Sequence, residues 1–480
     1  MEDFIGRSRE LEKLRSLYES DKSELAVVYG RIGVGKTYLV RTAFNGHFAF
    51  QHTGRKNQTY RQSLRLFRDS LIEQGMTDCP EFDNWIHAFS ALKKFIEKAE
   101  GKEKKVIFLD EAVWMDGPRS EFLPFLEGFW NEWAEWRDDI ILIISSSSAP
   151  WTIRKILRNR GGLYGRLTCR ILLDPFTLGE CEKYSRSRNL GYNRKQILLL
   201  YMVLGGIPGY WAHLTSGSTL PENIDRLIFS VTPFLQNARE EFMSAFRDPE
   251  KYLKIVSFLA EAGNGRTRTQ IAKGCGLCNN GRLGEMMEEL EEGGFIQPML
   301  PFGRHKNDVY YRLTDNYILF CCRFLTRNSS VHDWNSLLSS PLYSGWAETA
   351  FGNVILLHTD ELKRALGIAG INAPVYCWES NSGKLTEEQK NVHIPLLLDR
   401  ADKIIEIIET RWTDDNEAYQ MTKEDEDRIR NVKSVFREQT ATRKYVSFSL
   451  VTPGFFSHNQ YSDMIRFNVS ANDLFCETAH

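Results

Sequence analysis

The chain has 480 residues, 42% of them hydrophobic and 26% charged. That is a globular composition, long enough for two to four domains, since single cores rarely grow past roughly 250–300 residues. Its 61 basic and 63 acidic residues leave a formal net charge of -2, so no global positive field draws in nucleic acid. No apolar run reaches the roughly 18 residues of a membrane span. The acidic opening Met1-Glu2-Asp3 is unlike a signal peptide, and a cytoplasmic location is expected. Nine scattered cysteines form no framework and fit reduced thiols. Cys275 and Cys278 make one CxxC. Without a second pair at zinc-ribbon spacing, they read as two small core residues of a helix-turn-helix.

In chain order, the first informative element is the apolar run at residues 24–29, suited to a buried parallel strand. It leads into Gly30-Arg31-Ile32-Gly33-Val34-Gly35-Lys36-Thr37, which is GxxxxGKT, and a helical pattern follows from Tyr38 to residue 44. Strand, glycine loop and helix together form a phosphate-binding context. Gly30, Gly33 and Gly35 let the loop backbone, Arg31 and Val34 included, approach the phosphates of ATP. The helix N-terminus adds its positive dipole end. Lys36 is expected to reach the β- and γ-phosphates, and Thr37 to ligate Mg²⁺.

Residues 45–103 are aromatic and helical and carry no evident chemistry. Residues 105–109 form a strand ending in Asp110-Glu111. Carboxylates at the C-terminal end of a parallel strand lie where ligands bind in such sheets. Asp110 is expected to hold Mg²⁺ through its water shell, and Glu111 to orient and polarise the attacking water. A third strand at residues 140–144 ends in four serines. Ser147 is taken as the hydroxyl that bonds the attacking water or the γ-phosphate.

Further on, Tyr252, Ile255, Val256 and Leu259 share one face of a helix. Residues 266–277 give a second helix, and residues 281–292 a third. Strands near 294–296 and 309–313 flank the turn Arg304-His305-Lys306. Three helices and a two-strand wing make a winged helix-turn-helix. The helix that would enter a major groove carries Arg282, but also Glu285, Glu288, Glu289, Glu291 and Glu292. That is a poor design against a polyanion. Arg304, His305 and Lys306, with Arg266 and Arg268, are the candidates for DNA contact. On balance the acids favour a protein or domain contact. Residues 344–366 read as one amphipathic helix anchored by Trp346, Ala350, Phe351, Ile355 and Leu362. Residues 394–399 and 403–412 read as paired strands joined by Arg400-Ala401-Asp402.

A family resemblance runs along nearly the whole chain. Phe4-Ile5-Gly6-Arg7 with Glu10-Leu11 resembles the N-terminal box of AAA+ and STAND ATPases. Trp114-Met115-Asp116, Pro118-Arg119-Ser120, residues 161–167, residues 172–176 and Gly205-Gly206-Ile207-Pro208 resemble one prokaryotic branch. That branch is the archaeal and bacterial ATPases of the MNS clade of STAND NTPases. The resemblance implies an α/β fold, with a P-loop NTPase (AAA+/STAND) parallel-sheet core at 1–175 and a helical lid at 176–245. The winged helix-turn-helix would span 246–330, and an α/β restriction-endonuclease-like domain of the PD-(D/E)xK type 331–480. It implies that Phe4 and Arg7 line the nucleotide site and that Pro208 packs against the base. It implies that Arg166 is an arginine finger, in its own or a neighbouring subunit, with Arg160 as second candidate.

In the C-terminal domain the resemblance places Gly352 where a helix Glu would stand and Pro395 where a strand Asp would stand. Glu409 is retained, and Arg411 replaces the lysine. Glu348 and Asp399 fall out of register. One carboxylate rarely holds a hard divalent cation, and arginine cannot share a proton near neutral pH. The expectation is a nuclease fold without nuclease activity. The function expected is an ATP-binding and ATP-hydrolysing STAND-type switch that holds a protein partner or a second copy of itself. The alternatives are a DNA-associated ATPase and an active ATP-dependent nuclease in defence against foreign DNA.

Overall fold

The computed structural model describes residues 4–99, 101, 103–117, 120–159, 161–230, 242, 246, 249–303, 308–325, 331–385, 389–413 and 418–476. It divides into two compact units, Met1–Pro175 and Phe176–His480.

The first unit is built on five parallel strands: β1 (Glu24–Tyr29), β2 (Phe50–Thr53), β3 (Lys105–Asp110), β4 (Ile140–Ser146) and β5 (Cys169–Leu172). Their order is β2-β3-β4-β1-β5. Successive side chains of a strand point to opposite faces, and here both faces are covered. Leu25, Val27, Ile107, Leu109, Leu142 and Ile144 pack on one side with Phe67, Trp85 and Phe122. Ala26, Val28, Val106, Phe108, Ile141 and Ile143 pack on the other with Leu39, Val40 and Phe44. Near-continuous apolar strands follow from that double burial. Because β4 lies between β1 and β3, its C-terminal end is delivered between the glycine loop and the acid pair. β4 runs two residues past the apolar stretch, through the fully buried Ser145 and Ser146.

The second unit holds three segments. Helices Leu178–Ser187, Arg194–Leu204, Pro208–Trp211 and Leu220–Ile224 come first. Helices Pro249–Ala262, Arg268–Cys275 and Gly281–Glu292 follow, with a three-strand antiparallel sheet of β6 (Arg266–Thr267), β7 (Ile296–Met299) and β8 (Tyr310–Leu313) in the order β6-β8-β7. Residues 266–267 are therefore a short strand before the second helix and not its first turn. Thr267 instead caps that helix in a reciprocal capping box with Gln270.

The third segment has β9 (Val375–Glu379), β10 (His393–Asp399), β11 (Ile404–Thr410), β12 (Tyr445–Thr452) and β13 (Ile465–Ser470) in sequential order. Pairing is antiparallel from β9 to β11 and parallel from β11 to β13. The parallel β11–β12 pair requires a crossover, and helix Lys423–Thr440 supplies it. That helix buries Ile429, Val432, Val435 and Phe436 against Ile405, Ile407 and Phe448.

The expected single helix over 344–366 is two, Tyr343–Leu357 and Thr359–Ala365. The break is at His358, whose buried ring accepts the Leu178 N–H at Nε2 (3.0 Å) and bonds the Val354 carbonyl through Nδ1 (2.8 Å). The three segments interlock in the same way elsewhere. Asn316 donates to Tyr201 and Ala350 carbonyls, and Asn353 donates to the Leu313 carbonyl. All nine cysteines are free. Cys275 is half-buried and Cys278 is exposed, so Cys278 is not a core residue. Among the described residues no helix is long and apolar enough to cross a membrane. Also among them, no three His, Cys, Asp or Glu side chains cluster as metal ligands.

Candidate active site

The site grows from three strand ends. After β1 the chain turns through Gly30, Gly33 and Gly35, at φ 152°, 81° and 97°, and enters helix Lys36–Ala43. These left-handed values favour glycine. Gly30 is further constrained, because a Cβ there would lie 2.4 Å from the Leu173 carbonyl oxygen. Lys36 opens the helix and is buried, and its ammonium donates to the carbonyls of Gly30 (3.2 Å) and Arg31 (2.9 Å). It also lies 3.8 Å from Glu111 Oε1. Burial pushes its pKa down, and the charges of Glu111 and Asp110 oppose that shift.

Thr37, the next residue, donates through Oγ1 to Asp110 Oδ2 at 2.8 Å. Hydroxyl and carboxylate oxygens thus converge from the glycine-loop helix and from the end of β3. Hard oxygen donors of this kind suit a magnesium ion that keeps several waters. Ser145 donates to Asp110 Oδ1 and accepts the Glu111 N–H at 3.1 Å. Glu111 itself is left-handed, at φ 52°. Its Oε2 accepts from Ser147 twice, from N–H at 3.1 Å and from Oγ–H at 2.5 Å.

Of the residues expected from sequence, the structure gathers Lys36, Thr37, Asp110, Glu111 and Ser147 at one spot. Val34 is buried beneath the loop, and Arg31 offers Lys36 its carbonyl. Tyr38 is half-exposed and stacks on Phe4, with ring centroids 5.6 Å apart. Arg7, left-handed at φ 57°, donates to the Asp174 carbonyl just beyond β5. Arg166 pairs with Glu135 on its own unit. Pro208 is in the second unit, at the first position of helix Pro208–Trp211, a place where its missing N–H costs nothing. Arg160, Pro118, Arg119 and the basic turn Arg304, His305, Lys306 lie outside the described residues.

Sequence reasoning missed Ser145 and Gly54. A Cβ on Gly54 would lie 2.5 Å from the Glu111 carbonyl oxygen, and the Gly54 N–H donates to the Asp110 carbonyl at 2.9 Å. The run of serines at the end of a buried strand was the available signal for Ser145. Nothing local marks Gly54.

A glycine loop cradled between β1 and a helix, with an acid pair on β3 and polar side chains on an intervening β4, defines a P-loop ATPase. The family comparison agrees. Residues 4–214 match the model of an ATPase domain found predominantly in Archaea, a match that runs past Pro175 to include Pro208. The chain is similar to the uncharacterised protein MJECL04 of Methanocaldococcus jannaschii, at 24% identity over 334 residues, covering 68% of this chain and 70% of that protein. It is also similar to the Walker-type ATPase PABY2304 of Pyrococcus abyssi, with 18% identity, a TM-score of 0.48, and 67% and 97% of the two chains covered. The Aeropyrum pernix ORC2 protein follows at 14% identity, a TM-score of 0.43 and 67% and 95% coverage.

Proposed function

We propose that the chain is an ATP-driven switch of STAND type. Its nucleotide state would set the disposition of a helical lid (176–245), a winged helix (246–330) and a pseudo-nuclease domain (331–480) that hold a protein partner or a second copy. The observation that carries this reading is a contrast between acids. Those of the P-loop site stand ready for a cation, whereas the one acid retained at the nuclease-type position, Glu409, is already paired with Arg428.

At the ATPase site, Thr37 and Asp110 would hold Mg²⁺. When bound, the ion withdraws charge from the phosphates. Lys36 would exchange the loop carbonyls for the β- and γ-phosphates. Glu111 would accept a hydrogen bond from the attacking water and draw its proton as the water attacks. Arg166 would trade Glu135 for the γ-phosphate of a neighbouring subunit. Phe4, Arg7 and Tyr38 would line the nucleotide site.

In the third segment, Glu409 on β11 pairs with Arg428 at 2.7 Å, and Arg411 pairs with Asp425 at 3.3 Å. Glu348, whose pKa is pushed up by burial, accepts the Trp412 N–H at 3.1 Å. Asp399 is opposite Ile405, at the far end of β11 from Glu409, and pairs with Lys444. These residues do not present a hard cation with several free oxygens, and no nuclease step follows from them. On helix Gly281–Glu292, Arg282 is tied to Glu285 at 2.9 Å, which favours a protein contact over DNA.

Hydrogen–deuterium exchange on the full chain tests the switch. The Glu111→Gln variant with Mg²⁺-ATP is compared with wild type in Mg²⁺-ADP. Protection that changes within 246–330 and 331–480 supports it. Exchange there that ignores the nucleotide sinks it. Duplex binding that falls steeply with salt would instead favour the DNA-associated reading.

A further inference from the structure

We infer that Ser145 and Ser147 are positioning residues for hydrolysis, which hold the Asp110-Glu111 turn in the shape that faces the Glu111 carboxylate toward the phosphate-binding lysine. The inference rests on ATP hydrolysis at this site and names how its general base is aimed.

Leu109 on β3 is opposite Ile144 on β4, the last pair of that ladder, so Asp110 and Ser145 stand side by side just beyond it. Ser145 is fully buried. A hydroxyl with no access to water must find its partners inside. Ser145 finds two, and both belong to the acid pair. Its oxygen accepts the Glu111 N–H at 3.1 Å, and its proton goes to Asp110 Oδ1. One side chain therefore fixes both the metal-binding carboxylate and the peptide that follows it. That peptide needs fixing, because Glu111 is left-handed at φ 52°, unfavourable for a residue with a Cβ. Gly54 leaves room for the turned carbonyl, where a Cβ would come within 2.5 Å.

Two residues on, Ser147 completes the clamp. Its N–H and Oγ–H both end on Glu111 Oε2, at 3.1 and 2.5 Å. The other oxygen, Oε1, is left toward Lys36 at 3.8 Å. Two donors on one oxygen fix the carboxylate's rotation as well as its place. Beyond the turn, Trp151 donates through Nε1 to Asp116 at 2.9 Å and ties the segment after β4 to the segment after β3. Ser147 thus reaches the chemistry through Glu111, which differs from a hydroxyl that bonds the phosphate or the water.

The test is a double-mutant cycle on the full chain. Single-turnover and steady-state hydrolysis, and binding of a fluorescent ATP analogue, are measured for wild type, Ser147→Ala, Ser147→Thr, Glu111→Gln and the double variant Ser147→Ala/Glu111→Gln. Misplacing a general base by about 1 Å costs about 10²-fold, so Ser147→Ala should lower kcat by about that much. Nucleotide affinity should stay within about twofold, since a positioning role acts on kcat and not on binding. Ser147→Thr should restore most of the rate. In the Glu111→Gln background, Ser147→Ala should cost nothing further, because both changes remove the same function. The inference is overturned if Ser147→Ala keeps the wild-type rate. It is equally overturned if affinity falls in step with kcat, or if the full loss persists without Glu111. A wild type no faster than Glu111→Gln would strike at hydrolysis through Glu111 itself and leave the serines aside.

Discussion

The first unit gathers its acids at the end of a strand, the second sets Glu409 of β11 near Asp425 of helix Lys423–Thr440, and the two treat them in opposite ways. In the first, the Asp110 carboxylate takes hydrogen bonds from the hydroxyls of Thr37 and Ser145, and Glu111 takes them from Ser147. Neutral donors orient a carboxylate without cancelling its charge, and Lys36 approaches Glu111 only to 3.8 Å. In the second, Glu409 meets Arg428 at 2.7 Å and Asp425 meets Arg411 at 3.3 Å. There the cation is part of the chain. A site whose acids are oriented but left charged is prepared for a metal and a phosphate. A site whose acids already hold guanidiniums leaves a metal little charge to bind.

The largest expected effect breaks the first half of that comparison. Glu111→Gln keeps the hydrogen-bonding shape and removes the charge. Hydrolysis should fall roughly 10²–10⁴-fold while ATP still binds. Lys36→Ala should instead lose binding itself. Turnover and affinity measured on both variants separate the two roles. Equal losses of affinity would mean that Glu111 is a binding residue and the acids of the first unit are not prepared for chemistry.

The next effect concerns stability in the second unit. Glu406 is fully buried on β11, accepts from Ser449 at 2.7 Å and pairs with the buried Arg400 at 3.3 Å. Arg400 keeps its two bonds to Asp402, at 3.0 and 2.5 Å, so removing Glu406 leaves one guanidinium N–H and the buried Ser449 hydroxyl without an acceptor, at about 1–3 kcal/mol each. Glu406→Ala should therefore lower the urea midpoint of the second unit strongly, while ATP binding in the first persists. A variant as stable as wild type would show that this network is ornament and not structure.

Acid should separate the units more gently. His52 in the first, and His358 and His393 in the second, are pushed down to about 4, chiefly by burial. Each folded pKa lies below the unfolded value, so the unfolded chain binds more protons across that window. The stability these histidines contribute is present above pH 6.5 and is lost as pH falls toward 4. The slope approaches about 1.4 kcal/mol per pH unit for each histidine. His358 has a visible reason, since its Nε2 must be unprotonated to accept the Leu178 N–H. Two of the three lie in the second unit, so the histidine contribution to its loss of stability in acid should be about twice that in the first. His358→Gln should flatten that dependence, measured by urea unfolding between pH 7 and 4.5.

The contrast between units also marks what a sequence shows. The glycine loop and Asp110-Glu111 are legible because their chemistry is carried by neighbouring residues on a strand-turn frame. Ser145 was hidden, because the apolar run ends at Ile144 and the strand does not. Its hydroxyl is at home in a buried strand only because Asp110 and Glu111 stand beside it. Gly54 was hidden because its reason is a carbonyl far along the chain, at Glu111. In the second unit, almost everything decisive is of that kind. The helix over 344–366 breaks at His358 for a partner at Leu178, and Arg312 is buried against Asn353 and Thr349, beside Gly352. A Cβ on Gly352 would sit 2.8 Å from that guanidinium. Periodicity reports which face is buried, but not which distant polar group completes it.

The smallest effect is the sharpest probe of the second unit. Glu409 is the one acid retained of the nuclease-type pattern that the resemblance implies, and its partner Arg428 is more than a third exposed. Water can take over the guanidinium when the carboxylate goes, so Glu409→Ala should cost no more than about 1 kcal/mol. Adding Mg²⁺ without nucleotide should leave the melting temperature of the second unit unchanged in wild type and variant alike. A metal ligand behaves otherwise. Anything that binds the folded state alone raises its stability with concentration. A Mg²⁺-dependent rise in wild type that vanishes in Glu409→Ala, together with DNA cutting lost in the same variant, would show that the arginines yield to a metal. The two acid sites would then be alike, and the chain would carry a second catalytic centre.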